Sequence, residues 1–194
     1  DSLALLIDKA MRSTDVFVNQ YPKDGGCDEG PTYWGEAGGK LIRLLHLLTS
    51  VSEGKLNWQG NDLRHNMGTY IYKMQSAGSN YVNFADALPK IIPNAESVYR
   101  FGDAFNDDTL RHFAAYLFEL SRKKLPEDNV VDFLEMTDIF HELTTTRPTA
   151  PLPEFSYLPD LEVVTARSKS GVTDGLFLAV QGSNNGVSHN HNDV

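Results

Sequence analysis

Between residues 144 and 160 the chain reads TTTRPTAPLPEFSYLPD and carries four of its nine prolines. Proline lacks a backbone N–H and has a fixed φ, so such a stretch cannot continue a helix and favours extended backbone. It divides the sequence into two textures. Apolar residues recur at helical spacing before it and alternate at strand spacing after it.

On the N-terminal side, Leu3, Ile7, Ala10, Phe17 and Tyr21 follow a helical period until Pro22 and the Gly25-Gly26 pair. The strongest run is Trp34, Ala37, Leu41, Leu44, Leu45, Leu48 and Val51, with Pro31 before it and Gly54 after it. Further helices are predicted over 67–74, 97–105, 110–120 behind Asp107-Asp108, and 130–143 behind Asp128. Their short, turn-rich connections suit antiparallel helical neighbours.

Beyond the prolines, Leu161, Val163 and Thr165 alternate with polar neighbours, and GLFLAVQG over 175–182 is a short apolar run between glycines. Two or three strands cannot bury a sheet face alone, so this piece reads as the opening of a larger sheet. The expected fold is multidomain, α then β: a helical region over 1–145, a Pro-rich linker over 146–159 and the start of a β domain over 160–194. The chain is read as a fragment spanning a domain junction.

With 17 Lys and Arg against 26 Asp and Glu, the formal net charge is −9, which argues against a broad phosphate-binding surface for nucleic acid. A cleft can still focus a local field of either sign. Apolar stretches such as those at 3–7 and 176–180 fall far short of the roughly 20 residues that cross a bilayer. Cys27 is the sole cysteine, so no intrachain disulfide forms, and a small buried thiol is its simplest reading.

Three polar clusters stand out. In the tail, SHNHND over 188–193 would place His189, His191 and Asp193 on one face of an extended strand, an arrangement suited to metal binding or proton transfer and equally to a solvated tail. The loop DGGCDEGPTYW over 24–34 supplies Asp28 and Glu29 as carboxyls and Tyr33 and Trp34 as flat faces for a sugar ring. Its alternative is an acidic helix start with Trp34 in the core. In SNYVNFAD over 79–86, Tyr81 and Asn83 would share a face if extended, with packing as the competing role for the tyrosine.

Together, DGGCDEGPTYW, YVNFADA, GLFLAVQGSNNGVSHNHNDV and the helix-then-sheet order resemble the heparinase II/III-like polysaccharide lyases over nearly the whole chain. The resemblance implies a partial (α/α) toroid of helical hairpins followed by the first strands of an antiparallel β-sandwich, with the active site between them. It implies β-elimination on an acidic polysaccharide containing uronic acid, such as heparin, heparan sulfate or alginate. Tyr81 would then be the base and acid, His189 a second proton-transfer or carboxylate-neutralising group, and Glu29 a contact to the substrate carboxylate in protonated form. Tyr33, Trp34 and Asn83 would bind substrate, and His191 would ligate a structural zinc whose other ligands lie beyond this chain. A chain lacking most of the sandwich would have little activity by itself.

The resemblance also implies a periplasmic or secreted location and leaves a homodimer open. Some members carry an Arg one turn after the catalytic Tyr, where this chain has Ala85, and Asn83 or Arg100 would have to substitute. Two other readings of the same residues are a noncatalytic glycan-binding protein and a metal-dependent hydrolase ligated by His189, His191 and Asp193.

Overall fold

The structure is a computed structural model that describes residues 2–56, 58, 62–122, 130–182, 186 and 189. Among them, seven α-helices precede a three-stranded antiparallel sheet, so the α-then-β order expected from the proline stretch is the order observed. No helix among the described residues is long and apolar enough to cross a membrane.

The helices are α1 (Ser2–Gln20), α2 (Gly38–Val51), α3 (Asp62–Lys73), α4 (Ala95–Phe105), α5 (Asp108–Leu120), α6 (Val130–Asp138) and α7 (Phe140–Thr145). A 3₁₀ turn at Tyr33–Gly35 takes the place of the predicted first turn of α2. The cause is Trp34, whose indole N–H turns inward to donate to the Met67 carbonyl at 2.7 Å. The single helix predicted over 130–143 is broken at Ile139, which leaves helical geometry at φ −111° and ψ 12°.

The core is built from the 3₁₀ turn and α2 to α5, where Trp34, Ile42, Met67, Ile71, Phe101, Phe113 and Phe118 are almost wholly buried. Close helix approach needs glycine at two places. A Cβ on Gly68 of α3 would lie 2.8 Å from the Phe101 ring, and one on Gly102 of α4 would lie 2.9 Å from the Arg111 amide of α5. Helix α1 is different in that none of its residues is buried, and Leu3, Leu5, Leu6 and Ile7 are more than half exposed.

The predicted cap of α5 forms. Asp107 accepts hydrogen bonds from the amides of Thr109 at 2.8 Å and Leu110 at 3.3 Å, and its other oxygen lies 2.9 Å from His65 Nε2 on α3. Burial alone would raise this carboxyl, but the His65 and amide hydrogen bonds hold it below its ordinary value. Asp107→Ala should therefore cost about 1–2 kcal/mol. A depressed carboxyl stabilises the fold fully above its unfolded value of about 3.9, and that stabilisation disappears as pH falls through the folded value. Urea titrations of both proteins at neutral and acid pH should show the gap closing on the acid side.

A hairpin that the sequence reading does not contain, β1 (Gln75–Ala77) with β2 (Asn80–Tyr81), follows α3. The C-terminal sheet is a meander of β3 (Phe155–Leu158), β4 (Val163–Arg167) and β5 (Phe177–Gln181). β3 lies inside the stretch read as linker, because Pro153 and Pro159 bracket a proline-free run that pairs along its length with β4. Val163, Thr165 and Arg167 point to the buried side, whereas Phe155, Tyr157, Leu178 and Val180 leave an apolar outer face exposed.

Sheet and helices are joined by polar contacts. The Arg167 guanidinium donates to the carbonyls of Gln75 at 2.8 Å and Ser76 at 3.1 Å in β1, and Thr165 Oγ1 donates to the Lys73 carbonyl of α3 at 3.0 Å. Asp24 accepts from the amides of Asp160 at 2.7 Å and Leu161 at 3.1 Å, while Asp160 accepts from the amides of Lys23 at 2.6 Å and Asp24 at 3.3 Å. This reciprocal clasp fixes the loop after α1 to the β3–β4 turn.

Candidate functional site

Loop 21–32 is held on three sides, and glycine makes two of the contacts. Gly25, at φ +77°, lies so close to α3 that a Cβ would come within 2.2 Å of the Asn66 backbone. Gly30, at φ +88°, packs against the Phe84 carbonyl, which would be 2.6 Å from its Cβ. Only a residue free of Cβ fits a left-handed conformation in so little space. The Thr32 hydroxyl accepts the Leu88 amide at 2.7 Å, so the loop lies against segment 82–88.

That apposition sets Glu29 beside Asp86, and His189 completes the group. His189 Nδ1 is 2.6 Å from Asp86 Oδ2, and Nε2 is 3.6 Å from Glu29 Oε1. One ligand-type atom from each of the three residues lies within 4.8 Å of the others, a set able to hold a metal ion or to pass a proton. The hydrogen bond to Asp86 raises the His189 pKa, with the Glu29 charge acting in the same sense and desolvation against both. His189 reaches this position at φ +60°, an uncommon conformation for a residue with a Cβ.

Asp86 is the member that sequence reasoning missed. It closes the SNYVNFAD segment, but a lone carboxylate in a loop has no periodicity, and its partner is 103 positions away. The only signal for it in the sequence is its place at the end of that segment.

The other predicted residues are dispersed. Tyr81 is buried, and its phenol oxygen makes no hydrogen bond among the described residues. Burial, followed by the neighbouring Tyr116, pushes its pKa well above the ordinary value. Asn83 is exposed, so it and Tyr81 occupy opposite environments and not a shared face, because only Asn80–Tyr81 of that segment is strand. Trp34 is fully buried and presents no ring face to a ligand. Tyr33, 40% exposed, does so, and it lines with Glu29 a groove of about 370 Å³ beside the cluster. His191 and Asp193 lie outside the described residues, and with them the proposed zinc ligand.

Cys27 is buried, and burial with the nearby Asp28 charge pushes its thiol up to about 12, so it remains protonated at neutral pH. A larger cavity of about 660 Å³ lies elsewhere, against the end of α2 and lined by His46, Trp58, Tyr99, Arg100 and Glu142 among others. It contains no member of the cluster. Arg100 is committed there to Glu96 and, at 2.6 Å, to His46 Nε2, so it does not substitute for the missing arginine beside Tyr81. No family model matches the sequence, and no curated protein matches it.

Proposed function

We propose that the protein is a polysaccharide lyase that cleaves uronic-acid-containing glycans by β-elimination. The observation that carries this reading is the Glu29–Asp86–His189 cluster, in which a residue of the C-terminal tail meets two carboxylates of the helical part beside a groove with an exposed tyrosine. All three residues lie in the heparinase II/III-like motifs, and the resemblance itself gives roles to two of them, Glu29 and His189. Under this reading the helices belong to an (α/α) toroid and the sheet to a β-sandwich, and the enzyme works in the periplasm or outside the cell.

The chemistry requires a base at C5 and an acid at O4. Asp86 fixes His189 through Nδ1 and leaves Nε2 directed toward Glu29 and open to substrate. Nε2 takes the C5 proton, the C5–H electron pair forms the C4–C5 double bond, and the C4–O4 bond breaks. The imidazolium then returns its proton to the departing O4. The exposed amide of Asn83 is the neutral donor assigned to the uronate carboxylate, whose charge must be offset before C5 becomes acidic. Burial of the Tyr81 phenol favours His189 over Tyr81 as the proton carrier.

Incubation of the natural protein with heparan sulfate, heparin and alginate should produce the ultraviolet absorbance of an unsaturated uronate. Loss of polymer without that chromophore, or no reaction with any uronate glycan, would overturn the assignment. The convergence of three ligand atoms favours metal-dependent hydrolysis as the second reading. In that case chelation abolishes activity and the products are saturated.

A further inference from the structure

The cavity of about 660 Å³ lies at the C-terminal end of α2, whereas loop 21–32 with Glu29 leads toward the other end of that helix, about 20 Å away at 1.5 Å per residue. Its volume is that of a small-ligand site. Ile42, Ile139 and the rings of Trp58 and Tyr99 give it an apolar wall. The Trp58 indole N–H is spent on Thr49 Oγ1 at 2.8 Å and the Leu45 carbonyl at 3.1 Å, so the ring is fixed in place.

The polar groups decide what such a wall accepts. Glu142 Oε2 is buried and has no hydrogen-bond partner among the described residues. A carboxylate oxygen held out of water without a donor costs free energy that a bound donor would recover. Burial raises the Tyr99 phenol, and the Asp103 and Glu142 charges add to the effect against weaker opposition from Arg111 and Arg100, so both carboxylates lie near this hydroxyl. Asp138 is the third carboxylate of the lining.

The cations nearby are committed. Arg100 is the arginine of the lining, and it directs Nε to Glu96, Nη1 to His46 Nε2 at 2.6 Å and Nη2 toward Asp138 at 3.5 Å. His46 accepts from Arg100, and burial and that guanidinium lower its pKa, so the ring is neutral at neutral pH. Behind the lining, Arg111 reaches Asp103 at 3.8 Å but is also paired with Asp108, and Arg43 is held by Glu96, Asp132 and Glu135. Arg64 bonds the Trp58 carbonyl, with its guanidinium 6.0 Å from the centre of the Trp58 ring. With all these neighbours counted, carboxylates still outnumber arginines, and no ion pair reaches Glu142 among the described residues.

We infer that this cavity binds a small organic cation, a primary ammonium carried on an aliphatic chain or a sugar ring, with the ammonium on Glu142 and Asp103 and the carbon body against Trp58 and Tyr99. The ammonium supplies the donor that Glu142 Oε2 lacks, and aromatic walls favour a cation over a neutral ligand of the same shape. The site shares no residue with the proton-transfer cluster, and the inference does not rest on the lyase reading.

Calorimetry on the natural protein at neutral pH and physiological salt tests it, with spermidine and glucosamine as probes and glucose and N-acetylglucosamine as controls that lack the ammonium. At least one of the two amines should bind saturably at one site, about tenfold or more tighter than either control, and the amine that binds identifies the source of the cation. Glu142→Gln should weaken binding about tenfold or more. Asp103→Asn, at an exposed position that the fold does not depend on, should weaken it several-fold. Glu154→Gln removes the same charge from an exposed position outside the lining and should leave the affinity unchanged. Circular dichroism checks the fold of each variant. Equal affinity for a control sugar, no saturable binding of either amine, or a loss in the Glu142 and Asp103 variants no greater than in the Glu154 variant, which marks diffuse attraction to an acidic protein, each overturns the inference.

Discussion

Replacing His189 by Ala should lower kcat/KM on the cleaved glycan by about 10²–10⁴-fold, the range lost when a positioned proton-transfer group is removed. The side chain is exposed on the surface of the site, so the far-ultraviolet circular dichroism should not change. Asp86→Asn tests the orientation of the imidazole. The Asp86 carboxylate stabilises the imidazolium and raises its pKa, so the base is free only at higher pH and the rate should climb through that raised value. Removing the carboxylate charge moves the rising limb of kcat/KM to lower pH and reduces its plateau. Tyr81→Phe should leave the rate within a few-fold of wild type, because the phenol lost is buried without a hydrogen-bond partner among the described residues. A His189→Ala enzyme with wild-type rate, or a Tyr81→Phe enzyme without activity, would return the proton to the tyrosine.

The second large effect concerns stability. Arg100→Ala should destabilise the protein by about 3–5 kcal/mol, measured as a lowered urea midpoint, because it strands a buried carboxylate. Glu96 is 2% exposed, bonded to Arg100, and otherwise within reach of Arg43 at 3.6 Å. Burial already raises the Glu96 pKa against the opposing pull of Arg100 and Arg43. Loss of Arg100 raises it further. The unfolded carboxyl ionises near its ordinary value of about 4.3 while the folded one resists, so the deficit should widen as pH rises from about 4 to 7. Adding Glu96→Gln to the arginine variant should recover part of the loss by removing the stranded charge, and a further drop would show that the effect is packing alone.

The elements legible in the sequence were those whose own residues suffice to define them. Helix α5 was readable because its cap, Asp107, precedes its apolar face directly. Strand β4 was readable from the alternation of Val163 and Thr165, and β5 from its flanking glycines. The β1–β2 hairpin was not, since three residues pairing with two carry no pattern that a turn lacks. Helix α3 begins at Asp62, five residues before the predicted start at Met67, because Asp62 to Asn66 are mostly polar and supply no apolar period.

The site was legible in part for a related reason. Glu29 and His189 lie in motifs dense enough in glycine and histidine to be noticed, whereas Asp86 acquires its role only when loop 21–32 is pressed against segment 82–88. Trp34 illustrates the opposite case. The sequence suggests its ring as a face for a sugar, but the fold turns it onto the Met67 carbonyl, and the neighbouring Tyr33 faces outward in its place.

The exchange of amides between Asp24 and Asp160 limits how this protein can be divided. A cut at residue 145, where the helical texture ends, would remove both carboxylates from the amides they accept and deprive Arg167 of its two β1 carbonyls. Each product would carry a severed polar surface in place of a finished boundary. A shortened version meant to behave as one cooperative unit must therefore retain the prolines, the β3–β4 turn and β4 along with the helices.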